Sequence, residues 1–494
     1  MRKLLYILFH FFLRLTLLAV GMIVSVVTYN TLNFTSLQLK VPAVEQPPIS
    51  DDAVQRLSDA IRFPTVSFPD RIDSSAFRQF KSYVKRSYPL VDSLLQLTTV
   101  NDFSLLYKWP GQTQSLQPIL LMAHIDVVPV DEKQAAQWTQ PPFSGAVTDG
   151  YIWGRGALDD KVNIMAVLEA FELLLAQGYQ PQRSIYLACG HDEEIGGTNG
   201  ARAIARRLEQ QGVRLEYVLD EGSVIITDAL KGLNQPAALI GTSEKGYVTL
   251  RLDVHLEEGG HSSMPPQQSA ISILTKAVTQ LTDHPFPARM NGPIRPLLEQ
   301  LGPEMEQPFK SIFANLWLFK GAVKQQLAAS PSTNAVLRTT TAPTVIEGGF
   351  KENVLPTDAS AKINFRILPG ETIESTISYV RTIIADTRVE VRTENTGFKA
   401  DPSPVSSTDA FGFQVVQKTC KEIFPQVVAV PALVIAGTDS RHYQPVCDNI
   451  YRFLPVHLSK ADLKRIHGFD ERIGVEAYKD MIGFYRQLLL NSTK

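Results

Sequence analysis

Cysteine is scarce: three residues (Cys189, Cys420, Cys447) in 494, with no Cys-x-x-Cys spacing. That argues against a disulfide-built scaffold and a cysteine zinc site. A single Cys420–Cys447 bridge stays open, with free thiols the plainer reading. No charge of one sign is in excess, since 48 Lys and Arg face 50 Asp and Glu. Nothing therefore points to nucleic acid as a partner. The chain has no Gly-x-Ser-x-Gly elbow, which speaks against a serine hydrolase of α/β type. It also has no internal repeat and no low-complexity stretch.

What is present begins at the N-terminus. Leu4 to Tyr29 is almost wholly apolar after a basic Met-Arg-Lys start, long enough to span a bilayer as a helix. Arg14 interrupts the run and can snorkel if the span begins near Leu15. A cleaved signal peptide is the rival reading. No small-x-small cleavage pattern follows Val27, which favours an uncleaved anchor. Arg2 and Lys3 then stay cytosolic, placing the rest of the chain on the far side of the membrane (periplasmic, lumenal or extracellular). Residues 30–50, with Pro42, Pro47 and Pro48, read as a linker.

Beyond it, short β-rich runs alternate with helical patterns. Strands are expected at 119–123, 184–189 and 217–219, and helices at 162–176 and 199–211. This predicts an α/β unit over 51–240 with a largely parallel sheet, whose site collects at the carboxyl ends of the strands. From Gly241 the pattern changes to an exposed-face strand at 247–255, then helix, strand, helix, strand, as in a smaller α+β unit over 241–398. The proline-rich stretch 285–343 reads as a helical insertion within it. Residues 399–494 return to the first unit.

Five segments pair an apolar strand with acidic or imidazole side chains: Met122-Ala-His124-Ile-Asp126, Gly154-Arg-Gly-Ala-Leu-Asp159-Asp160-Lys161, Gly190-His-Asp-Glu193-Glu194-Ile-Gly-Gly197, Leu219-Asp220-Glu221-Gly222 and His467-Gly-Phe-Asp-Glu471. Each alone is an ordinary turn or cap. Together they set like charges beside apolar strands, which costs stability unless a cation compensates. Histidine with carboxylates is a ligand set that suits zinc.

In this order and spacing the segments resemble the co-catalytic zinc aminoacylase and carboxypeptidase family. Trp153-Gly-Arg-Gly-Ala-Leu-Asp-Asp-Lys161, Ala436-Gly-Thr-Asp-Ser-Arg-His-Tyr443 and His467-Gly-Phe-Asp-Glu-Arg-Ile473 look most like its carboxypeptidase S (Gly-Xaa carboxypeptidase) and N-fatty-acyl-amino-acid synthase/hydrolase branch. The resemblance runs from about Val54 to the C-terminal helix. It implies a zinc-peptidase α/β domain interrupted by a ferredoxin-like lid, which in the family often dimerises. It also implies two Zn2+ per subunit, replaceable by Co2+ or Mn2+, and an N-acyl amino acid or short peptide as substrate. Carried over, His124 and Asp220 hold one ion, Glu194 and His467 the other, and Asp159 bridges them. Asp126 would orient His124. Glu193 would be the general base, taking a proton from water and returning it to the leaving amine. His261, in Glu258-Gly-Gly-His261, looks like the lid histidine that steadies the oxyanion. Asn353, Arg366 and Arg441 look like carboxylate-holding residues, a structural salt bridge being the plainer role for either arginine.

Overall fold

In the computed structural model, which describes residues 2–131, 133, 135–228, 231–290, 292–394 and 398–494, the two largest sheets, of ten and four strands, have separate apolar cores. Ile119–His124 shows why the larger sheet is covered on both faces. Ile119, Leu121 and Ala123 join one cluster, while Leu120 and Met122 join another on the opposite side. This strand lies between Tyr217–Asp220 and Ile185–Gly190, parallel to both. Further out, Ser104–Trp109 and Gln96–Val100 form an antiparallel hairpin. On the other flank Ala237–Glu244 runs antiparallel to Ile225–Ile226 and Ile450–Arg452. The sheet is therefore mixed, where alternating strands and helices predict a largely parallel one. All three cysteines are free and buried.

The helix Lys161–Ala176 is buried on nearly every side. It starts after Asp160 and packs against the C-terminal helix Val475–Ser492.

The second sheet orders Thr340–Gly348, Asp358–Ile367, Gly246–His255 and Val389–Thr393, all antiparallel. Val248, Leu250, Leu252 and Val254 alternate inward under two helices, Ala270–Asp283 and Ile373–Ile384. Each helix opens with a reciprocal capping box, Ser269 with Ser272 and Thr372 with Ser375.

Two expected segments behave differently from their sequence reading. The 285–343 insertion keeps its ends in the smaller unit, Phe286 in its core and Thr340 onwards in its sheet, but reaches beyond it: Leu301 packs on Val428 and Val430 of the large sheet's outer strand Val428–Val434. Among the described residues that strand pairs on one side only, with Ala237–Glu244, and the insertion lays its apolar side chains on one face of it. Nor is 30–50 a free tether. Gln38 exchanges two hydrogen bonds with the backbone of Ala429, and Val44 N–H donates to Glu422 O.

Lys245, at the crossing between the sheets, is buried, and its ammonium donates to the carbonyls of Ala335 and Arg338 in the insertion. Burial, aided by the Arg366 charge, lowers it from 10.5 to about 7. Between those values the unfolded chain binds the extra proton, so the folded state gains as pH rises. Wild type should therefore gain stability over Lys245→Met from pH 7 towards 10, by at most about 1.4 kcal/mol per pH unit. Urea titrations of the two proteins at pH 7, 8 and 9 check this, and a flat difference contradicts it.

Candidate active site

Three parallel strands end side by side, and each delivers an acid or imidazole at its carboxyl end. His124 is the last residue of the central one. Its Nδ1 faces the Asp126 backbone oxygen at 3.0 Å and the Asp126 Oδ1 at 3.4 Å, leaving Nε2 for the site. There Nε2 stands 2.9 Å from Asp159 Oδ1 and 3.6 Å from Glu221 Oε1. Burial opposes a charged His124, but hydrogen bonds to Asp126, Asp159 and Glu221 outweigh it and hold the ring well above its usual range.

The neighbouring strand Ile185–Gly190 runs into a 3-10 turn, Glu193–Ile195. Consecutive side chains in extended backbone point apart, so bringing both Glu193 and Glu194 to one site needs this turn. Asp126 fixes it: Oδ1 accepts from Glu193 N and Oδ2 from Glu194 N, both at 3.1 Å. Behind it the Asp192 carboxylate accepts from Asn199 N and Gly200 N. Glycine is required here. A Cβ on Gly197, whose φ is +65°, would stand 1.8 Å from Asp439 Oδ1.

His467 comes from the far end of the chain with a left-handed backbone, φ 59°. Its Nε2 is 3.0 Å from Asp159 Oδ2 and 3.3 Å from Glu194 Oε2. Those bonds, Asp159 first, raise it to about 10. Asp159 thus touches both imidazoles, one oxygen each. Burial works against its charge, yet the two rings pull its carboxyl far below the carboxylate range. Glu471 holds the loop in place. It accepts from Gly156 N, Leu158 N and Asp159 N and pairs with Arg155 at 2.6 Å. The His467–Glu471 segment stood out in the sequence, but nothing in it gave Glu471 this duty.

Asp220 does not meet His124; Glu221 does. Successive residues leaving a strand face opposite ways, so only one of the pair can turn to the site. The Asp220 carboxylate instead accepts from Ser440 N at 2.9 Å and bonds Thr438. It belongs to a buried network in which Arg452 bonds Ser440 and Glu244. Burial, then the Asp159 charge, lifts Glu221 to about 7. Burial also lifts Glu193 well above its ordinary range, with the Asp439 charge next in effect.

Ligand atoms of His124, Asp159 and Glu194 lie within 4.8 Å of one another, as do those of His124, Glu193 and Glu221. Glu194 Oε1 is buried without a hydrogen-bond partner among the described residues. A buried acceptor with no donor, among acids held above their usual range, fits a divalent cation.

Two cavities open on this cluster, and Glu194 lines both. One, of about 340 Å³, adds Leu158, Val224, Leu454, Leu458 and Ile466. The other, of about 970 Å³, adds Arg202, Arg206, Phe398, Lys399, Arg441 and His442. Arg441 stacks on Phe398 at 4.1 Å and Arg366 on Tyr247 at 4.7 Å, and those two rings lie 5.7 Å apart. Among the described residues no acid pairs with Arg366, and Arg441 has only Asp439 at 3.9 Å. A structural salt bridge therefore does not account for Arg366. His261 and Asn353 line neither cavity. His261 is exposed on a short ribbon where its ring bonds only Ser263, and Asn353 sits beside it through Ser262 N.

A sequence profile of peptidase family M20/M25/M40 matches residues 120–491, which include every residue of this cluster. The chain belongs to peptidase family M20. It is 41% identical to a probable carboxypeptidase S-like 2 of Dictyostelium discoideum over 97% of this chain and 93% of that one. It is 44% identical to the N-fatty-acyl-amino acid synthase/hydrolase PM20D1 of Xenopus tropicalis over 89% and 85%. The M20 metallo-carboxypeptidase Sso-CP2 of Sulfolobus solfataricus shares the fold, with a TM-score of 0.65 at 17% identity, covering 89% of this chain and 99% of that one. The M20 fold here is mixed α/β. This M20 chain is thus a metallohydrolase, and the family's YXEP protein of Bacillus subtilis, with a TM-score of 0.51, is a dinuclear metal binding peptidase.

Proposed function

We propose that this M20 enzyme is a two-zinc amidohydrolase that cleaves N-acyl amino acids bearing a free carboxylate. Hydrolysis of dipeptides in the manner of a Gly-Xaa carboxypeptidase is the alternative. One observation carries the choice: a cavity with one apolar wall, Leu158, Val224, Leu454, Leu458 and Ile466, shares Glu194 with a second that sets Arg202, Arg206, Lys399 and Arg441 against Glu209 and Asp401. An acyl chain suits the first, and an amino-acid carboxylate suits the second.

His124 and Glu221 would hold one ion, Glu194 and His467 the other, and Asp159 both. When bound, such a pair supplies Lewis acidity towards the amide carbonyl and makes water nucleophilic near neutral pH. The residues of the chain do the rest. Asp126 keeps His124 oriented and the acidic turn closed. Glu193, its proton affinity raised by burial, takes the proton from water and delivers it to the departing amine nitrogen. Arg441, in the second cavity, holds the carboxylate, its guanidinium kept rigid on Phe398, with Arg366 behind it on the adjoining Tyr247 ring.

The four-stranded unit acts in this reading as a lid that carries His261 and Asn353. Its outer strand Thr340–Gly348 is exposed, with Val345 and Ile346 outward, which suits a second copy pairing there and presenting its own histidine. The helix Arg2–Asn33 is apolar enough to cross a membrane and serves as a single-pass anchor, with the catalytic part on the far side from Arg2.

The test is a panel of N-acyl amino acids of increasing chain length against free dipeptides, with and without chelator. We expect kcat/KM to rise with each methylene by up to roughly fourfold until the apolar cavity is full. Chelation should abolish turnover and zinc restore it. Arg441→Ala should cost roughly 10- to 150-fold in kcat/KM for free acids, from losing charged hydrogen bonds, and little for the carboxamide analogues. Faster cleavage of dipeptides than of any acyl amino acid overturns the acyl reading in favour of the alternative.

A further inference from the structure

The insertion 285–343 has no part in the chemistry above, yet it is where the apolar N-terminal helix meets the rest of the chain. Arg2–Asn33 is exposed along its length until its last turns. There Asn315, at the start of the helix Leu316–Ala328, donates to Val27 O and Thr31 Oγ1 and accepts from Asn30 Nδ2. The same Asn315 oxygen accepts from the indole N–H of Trp317 at 3.1 Å. Trp317 is nevertheless 58% exposed, beside an outward Leu318. Tyr29, one residue before Asn30, is also outward. An aromatic at the end of an apolar span and a second one tied to the same turn mark one level, the depth at which indole and phenol rings favour a membrane–water interface.

Charge points the same way. Between Glu306 and Glu347 the sequence has no Asp or Glu, but has Lys310, Lys320, Lys324 and Arg338. Lys320 and Lys324 follow Trp317 at helical spacing on an exposed flank, while Val323 of the same helix is buried. An outward tryptophan and leucine flanked by lysines, opposite buried Val323 and half-buried Leu316 and Leu327, is the pattern of a helix lying in a bilayer surface.

We propose that the helix Leu316–Ala328 seats on an anionic lipid surface beside the span, with Trp317 and Leu318 at the acyl boundary and Lys320 and Lys324 at the phosphates. This rests on the anchor reading, and the experiment separates the two. The full chain is reconstituted in phosphatidylcholine–phosphatidylglycerol vesicles with brominated lipid, and tryptophan emission is followed. Trp109, Trp138 and Trp153 are buried, so they give the unquenched background. Quenching should be present in wild type, absent in Trp317→Phe, and weakened in Lys320→Glu/Lys324→Glu. Retention of the chain through alkaline carbonate without any quenching overturns the seating alone. Release of the chain by carbonate overturns the anchor, and the seating with it.

Discussion

Glu193→Gln leaves the metal content intact and lowers kcat by about 10²–10⁴-fold, the range of a lost general base. The amide is nearly the same size and shape as the acid, and the turn around it is held through the Glu193 and Glu194 backbone N–H groups by Asp126. The fold of the site therefore has no reason to change. What changes is the ability to accept a proton. Glu193 is well placed for that, buried and kept above the carboxylate range by burial and by Asp439, whose two oxygens have no hydrogen-bond partner. The rival role is also definite, because Glu193 lies within 4.8 Å of His124 and Glu221 and so has the reach of a ligand. Metal analysis alongside kcat distinguishes them. An intact pair of ions with activity lost supports the base. One ion missing makes Glu193 a ligand, and full activity removes it from the chemistry.

The central strands and the helices around them were legible in sequence because their apolar periods are long and unbroken, as in Ile119–His124 and Lys161–Ala176. The hairpin Gln96–Val100 with Ser104–Trp109 was not, although Asn101 and Asp102 take positive φ at its turn. A short polar strand such as Gln96–Val100 carries little hydrophobic signal. At the site, the structure brings the segments singled out in the sequence together, and at one of them it turns Glu221 rather than Asp220 towards His124. Asp220 and Glu221 are adjacent acids of equal chemical merit, and only strand geometry and the demands of Ser440 and Thr438 decide which one turns inward. The packing of 285–343 was hidden for a related reason. Its target, the outer strand Val428–Val434, is distant in sequence, and local periodicity carries no information about partners.

That choice between neighbours can be measured. Asp159→Ala should leave the purified chain with neither ion, since its two oxygens face His124 and His467 separately and no other side chain among the described residues spans both. Without it the imidazoles and the remaining acids lose their shared partner. Glu221→Ala should lose one ion and keep the one between Glu194 and His467. Asp220→Asn should keep both. Its cost falls on stability instead, about 1–3 kcal/mol, because a buried acceptor for Ser440 N is weakened beneath the Thr438–Arg441 loop. Elemental analysis of each variant after gel filtration, with urea melts in parallel, reads all three. If Asp220→Asn comes out one ion short while Glu221→Ala is full, the side chain that faces His124 is not the one that binds there. The strand end must then turn over when the ions arrive, exchanging Glu221 for Asp220 and releasing Ser440.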